Sequence, residues 1–173
     1  GSGGPPVRRG GYGSVSSLLV LNFLPDSDAA VQEMRSLTSP QGIVSACIWD
    51  YGEGMEFLRY FWDTAAALDE AARGLHEGAR FPLCHRDALS DLFHRGGLRD
   101  VRCEPIEIPT AFSNFDDYWR PFLGGTGPAP SYVASLDADR RATLARKLEK
   151  ALPRGPGEAI TLTARAWAVR GTV

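Results

Sequence analysis

Several things are scarce in this 173-residue chain, and each scarcity excludes a class of function. Charge imbalance is the first: 19 Lys and Arg stand against 21 Asp and Glu, a formal net charge of −2. The two signs are interspersed, so no basic field speaks for nucleic acid or an acidic membrane surface. Long apolar runs are missing too. None approaches the roughly 18 residues that span a bilayer, and the start has no apolar core of a signal peptide. There are three cysteines, Cys47, Cys84 and Cys103, with no CxxC spacing. They read as reduced residues, in the core or near the surface, of a cytoplasmic protein. The three histidines, His76, His85 and His94, form no HExxH pattern, so no metal site is expected.

What remains is an ordinary globular composition, 43% apolar, enough for a sizeable core in one domain. Residues 1–14, "GSGGPPVRRGGYGS", are dense in glycine and almost without apolar side chains. They cannot offset their ordering entropy and are expected to be a disordered tail. "RRGGYGS" is a single copy of an RGG-like string, against which a flexible end is the simpler reading. The folded domain is expected over residues 15–173.

Residues 16–23, "SSLLVLNF", form a near-continuous apolar run, the pattern of a strand buried on both faces of a parallel sheet. Pro25 stops it. Asp26 or Ser27 caps a helix whose stripe is Ala30, Val31, Met34 and Leu37. After the turn Ser39-Pro40-Gln41-Gly42, residues 43–49 make a second apolar strand. Strand, helix, strand is a βαβ unit with parallel strands. A helix follows over 55–69, then an irregular loop, then a helix over 86–95 closed by Gly96-Gly97 with Leu98 packing back. A third strand spans 101–112, irregular at Pro105. An aromatic loop leads to a charged helix over 137–152, and residues 159–169 alternate as a last strand. The fold class is therefore α/β: parallel strands first, a more alternating pair at the end, helices packed on the sheet and an added helical lid.

The order of these pieces resembles the C-terminal half of a class I S-adenosylmethionine-dependent methyltransferase, of the type 11 or ubiquinone/menaquinone-biosynthesis-like branch. "LLVLNFLPD" is similar to the family's fourth strand and its exit. "EMRSLTSPQG" is similar to the helix and turn before the fifth strand, with Gln41 in place of a glycine. "LFHRGGL" is similar to the turn before the sixth, and "TLTARAWAVRG" to the last strand. The family's glycine-rich cofactor loop and the acidic residue that bonds the ribose have no counterpart. "GSGG" at residues 1–4 follows no strand, so it lacks the needed context. The resemblance thus implies a partial, truncated methyltransferase sheet, about 100 residues short at roughly 30 per βαβ unit, and argues against cofactor binding by this chain alone.

Ligands of open α/β sheets bind beyond the carboxyl ends of parallel strands. By resemblance, Asn22, Phe23 and Leu24 would flank the methionine part of S-adenosylmethionine, with a strand-end cap as the competing role for Asn22. Trp49 and Tyr51 would wall the pocket of a small-molecule acceptor. Asp50 would orient or deprotonate that acceptor, or else cap the glycine-rich loop that follows. Tyr118 and Trp119 are lid candidates over the acceptor, whereas Phe61, Trp62 and Phe115 read as core. Methyl transfer needs in-line positioning more than a catalytic triad. Two functions are expected to compete: a methyltransferase for a small molecule, or a non-catalytic remnant that binds a small ligand or a protein. Under both, the free apolar edge of 16–23 needs a cover, a homodimer or a partner chain.

Overall fold

A computed structural model describes residues 11–173. Along the chain run β1 (Tyr12–Leu18), α1 (Ser27–Leu37), β2 (Thr38–Trp49), α2 (Glu56–Leu68), α3 (Glu77–Arg80), α4 (Arg86–Arg95), β3 (Arg99–Phe112), α5 (Phe115–Trp119), α6 (Pro121–Gly124), α7 (Pro128–Ser135), α8 (Ala138–Ala151) and β4 (Ile160–Thr172). The four strands order β1-β2-β4-β3 in one sheet. β1 runs parallel to β2, and β4 antiparallel to it. Contacts divide the described residues into two compact units, one of residues 11–49, 82–106 and 166–173, the other of residues 50–81 and 107–165.

In the first unit the sheet has a covered and a barely covered face. Val44, Ala46 and Ile48 of β2, Cys103 of β3 and Val169 of β4 pack with Val31 and Met34 of α1 and Leu89, Leu92 and Phe93 of α4. These helix residues recur at three- and four-residue spacing, so each helix presents one apolar stripe. Asp26 caps α1, its Oδ1 accepting from the Ala29 N–H at 2.8 Å. α4 ends as its sequence predicts: the Leu98 N–H donates to the Phe93 carbonyl, Gly97 adopts φ +75°, and Leu98 is buried. The opposite face is thinner. Ser16 and Ser45 share a hydrogen bond there, 2.8 Å between hydroxyls, at an exposed position.

The opening strand departs from its expected form. It spans Tyr12–Leu18 rather than residues 16–23, and it is not buried on both faces. Among the described residues β1 pairs on one side only, so no neighbour shields its outer edge. Leu18 of β1 is 69% exposed, and Phe23, beyond the strand's end, 60%. Leu21–Phe23 coil into a 3-10 turn instead of extending the strand. The expected tail of residues 1–14 falls mainly on residues 1–10, outside the described residues; Tyr12 and Ser14 are strand, in register with Thr38 and Ile43.

The second unit is helical with a strongly aromatic core. Phe61, Trp62, Tyr118, Trp119, Phe122, Leu144, Leu148, Ile160 and Leu162 are buried together. Phe61 and Phe122 stack with centroids 4.5 Å apart, and Phe57 stacks on Phe122 at 4.6 Å. Such contacts add about 0.5–1.5 kcal/mol per pair beyond area burial. The stretch read as an aromatic loop is in fact three short helices, α5 to α7. Their starts are legible: Asn114 caps α5 through Asp117 N–H at 3.0 Å, and prolines open α6 and α7.

Candidate functional site

The exit of β1 lies in the first unit. There the backbone turns sharply, and the Asn22 side chain faces inward with its Oδ1 buried and without a hydrogen-bond partner among the described residues. An unpaired buried acceptor costs about 1–3 kcal/mol, so this atom suits a ligand donor. Leu24 is 38% exposed beside it in sequence. Among the described residues no glycine-rich turn follows β1. Trp49, also in the first unit, ends β2 half-buried, in register with Ala166 of β4.

Asp50, Tyr51, Tyr118 and Trp119 belong to the second unit. Asp50 is 2% exposed, and both of its carboxylate oxygens are engaged. Oδ1 accepts from the Glu53 N–H at 3.0 Å, and Oδ2 accepts from Arg165 Nε at 2.7 Å. Its carbonyl also accepts from the N–H groups of Gly54 and Met55. This is the loop-capping role. The carboxylate organises the turn into α2 and holds Arg165, which also reaches Glu107 at 3.4 Å. Glu56 completes the arrangement, its Oε2 accepting from the Thr163 N–H at 2.7 Å.

Tyr118 and Trp119 lie in the core rather than over an opening. Tyr118 is fully buried, and its hydroxyl donates to the Phe57 carbonyl at 2.7 Å. Burial pushes that hydroxyl's pKa far up, which keeps it a neutral donor. Tyr51 is half-buried, its ring 5.8 Å from Phe81. It lines a cavity of about 320 Å³ with Phe57, Leu58, Glu77, Phe122 and the loop of residues 125–130. None of the five main cavities among the described residues is lined by Asn22, Phe23, Leu24, Trp49, Asp50, Tyr118 or Trp119.

Sequence reasoning missed Arg165 and Glu77. Arg165 had a signal: it is the one charged residue in the apolar alternation of residues 159–169. Glu77 had none, since it sits in a stretch with no periodicity, yet it is 7% exposed and accepts from Trp62 Nε1 at 2.7 Å. Cys47 and Cys103 have pKa values raised chiefly by burial, so they stay thiols. No cluster of metal-ligating side chains occurs among the described residues.

The sheet order and the layers above have counterparts among solved structures. A protein of Bacillus halodurans assigned as a methyltransferase superposes at a TM-score of 0.50, with 10% identity over 98% of this chain and 67% of its own. One from Anabaena variabilis, assigned as a methyltransferase of an antibiotic biosynthesis pathway, superposes at 0.52, with 18% identity over 98% and 70%. The chain has a methyltransferase fold. At these identities the likeness concerns the methyltransferase fold alone. No family model matches the sequence, and no curated protein matches it. No helix among the described residues is long and apolar enough to cross a membrane.

Proposed function

We propose that the protein acts in methyl transfer from S-adenosylmethionine to a small-molecule acceptor, with the β1 edge completed by a second copy of the chain. One observation carries the reading. The parallel pair β1 and β2, followed by an antiparallel β4 lying between β2 and β3, has the methyltransferase strand order. In this reading Asn22 Oδ1, the buried acceptor without a partner, receives a donor from the cofactor's amino-acid end. When bound, the cofactor supplies the electrophilic methyl group. In this reading Asn22 positions the amino-acid end of the cofactor. Tyr51, on the same reading, walls the acceptor's pocket, and Asp50 and Arg165 hold the loop between β2 and α2.

The homodimer follows from the edge. β1 reads "YGSVSSL" and carries no charge, so pairing it with its own copy brings no like charges together. Exposed Tyr12 and Leu18 lie on it, and Val20 and Phe23 just beyond. An unpaired edge that exposes these side chains invites a cover. Sedimentation should give a dimer at micromolar concentration; a monomer there excludes it.

Calorimetric titration with S-adenosylhomocysteine tests the cofactor. A second reading, a non-catalytic module that binds a small ligand or a partner, is favoured by one observation: none of the main cavities among the described residues is lined by Asn22, Phe23, Leu24, Trp49 or Asp50. No binding at millimolar S-adenosylhomocysteine would select it.

A further inference from the structure

Glu77 is a carboxylate almost out of reach of water, 7% exposed. Its one hydrogen-bond donor among the described residues is Trp62 Nε1, a neutral group, at 2.7 Å. No arginine or lysine pairs with it among the described residues. His76, the next residue in the chain, offers no compensating charge: burial lowers its pKa, and its Nδ1 already accepts from the Gly78 N–H at 3.0 Å. A buried charge without a counter-charge is costly, and proteins normally pair it.

Glu77 also lines a cavity. The space measures about 320 Å³, and its other walls are Tyr51, Phe57, Leu58, Phe122 and the loop of residues 125–130. That volume lies within the usual range for small-molecule sites, roughly 300–1,000 Å³. Phe57 and Phe122 stack at 4.6 Å, which fixes that wall. In the loop of residues 125–130, Gly125, Pro128 and Pro130 flank Gly127, whose φ is +118°. The loop forms the rim without adding charged side chains.

We infer that this cavity binds a small protonated amine with an aromatic or apolar body, its ammonium on Glu77 and its body against Tyr51, Phe57 and Phe122. A charged hydrogen bond to the carboxylate supplies the missing counter-charge. The apolar walls reject a carboxylate ligand, which would sit beside a like charge. The inference does not rest on methyl transfer, because every residue it uses lies in the second unit and no cofactor takes part.

The test compares three probes on the unaltered protein without cofactor: 2-phenylethylamine, 2-phenylethanol and 3-phenylpropionate. Binding is read from nuclear magnetic resonance shifts of the Tyr51 and Phe122 rings and by calorimetry. The amine should bind about tenfold or more tighter than the alcohol, a difference of about 1.4 kcal/mol, and the acid weakest. Glu77→Gln keeps the shape and the acceptor for Trp62, and should make amine and alcohol equivalent. Equal affinity of amine and alcohol in the unaltered protein overturns the inference, as does the absence of shifts with millimolar amine. The probe comparison stands even if the variant fails to fold. Success of either the amine test or the S-adenosylhomocysteine titration is independent of the other.

Discussion

Asp50 and Arg165 hold each other twice: the Arg165 Nε donates to Asp50 Oδ2 at 2.7 Å, and the Asp50 N–H donates to the Arg165 carbonyl at 3.0 Å. The side chain of Asp50 is 3% exposed, that of Arg165 24%. The contact pins the loop that follows β2 to the strand that carries Arg165.

Removing one partner of such a pair should be expensive. Asp50→Ala is expected to lose about 3 kcal/mol of stability, the low end for breaking a buried pair, because Arg165 keeps some access to water. Asp50→Asn retains an acceptor for the Glu53 N–H and should lose less. Urea unfolding measures both. A loss of activity with unchanged stability in Asp50→Ala would instead mark the carboxylate as a direct participant in chemistry.

Trp62 and Glu77 should behave as a coupled pair. Trp62→Phe leaves the buried carboxylate without its donor and should cost about 1–3 kcal/mol. Glu77→Gln should recover part of that loss, because a neutral amide tolerates the site better. A double-mutant cycle by chemical denaturation would show a coupling above about 0.5 kcal/mol; additive effects would mean the two side chains do not interact.

Acid should weaken the fold through His76. Burial lowers its pKa below the ordinary value of 6.5, partly opposed by Glu77 and Asp63. The folded state therefore binds its proton less readily than the unfolded state does. The stabilisation is fully present above pH 6.5 and falls away as the pH drops below it towards the folded value. His76→Asn keeps a cap for the Gly78 N–H and removes the titration, so its melting temperature should depend less on pH between 7 and 5 than that of the unaltered protein.

The β1 edge gives a direct test of assembly. Leu18 is 69% exposed on that strand, and a lysine there opposes strand addition. Leu18→Lys should sediment as a monomer with an unchanged circular dichroism spectrum. A dimer that survives the substitution would place the interface elsewhere.

Much of the fold is legible in the sequence because helix ends and apolar stripes are local signals. The stripe Val31 and Met34, the Asp26 cap and the Gly96-Gly97 stop all appear where periodicity and capping put them. The opening strand is less legible. Its apolar run reads as doubly buried, but burial is a property of neighbours, and β1 has one on a single side among the described residues. The candidate site shows the same limit. Asp50 can be picked out as a strand-end carboxylate, whereas its partner Arg165 lies over a hundred residues later in sequence and becomes visible only in the folded strand pairing. Tyr118 and Trp119 look like lid residues because they sit in an acidic, glycine-rich context, yet packing against Phe57, Phe112 and Phe122 buries them.

The central claim is that the methyltransferase fold here still serves a cofactor. Isothermal titration of the assembled protein with S-adenosylhomocysteine tests it most directly. The account predicts saturable binding in the micromolar range that weakens about tenfold in Asn22→Ala, in line with one lost hydrogen bond to a charged group. No heat of binding at millimolar S-adenosylhomocysteine would contradict it.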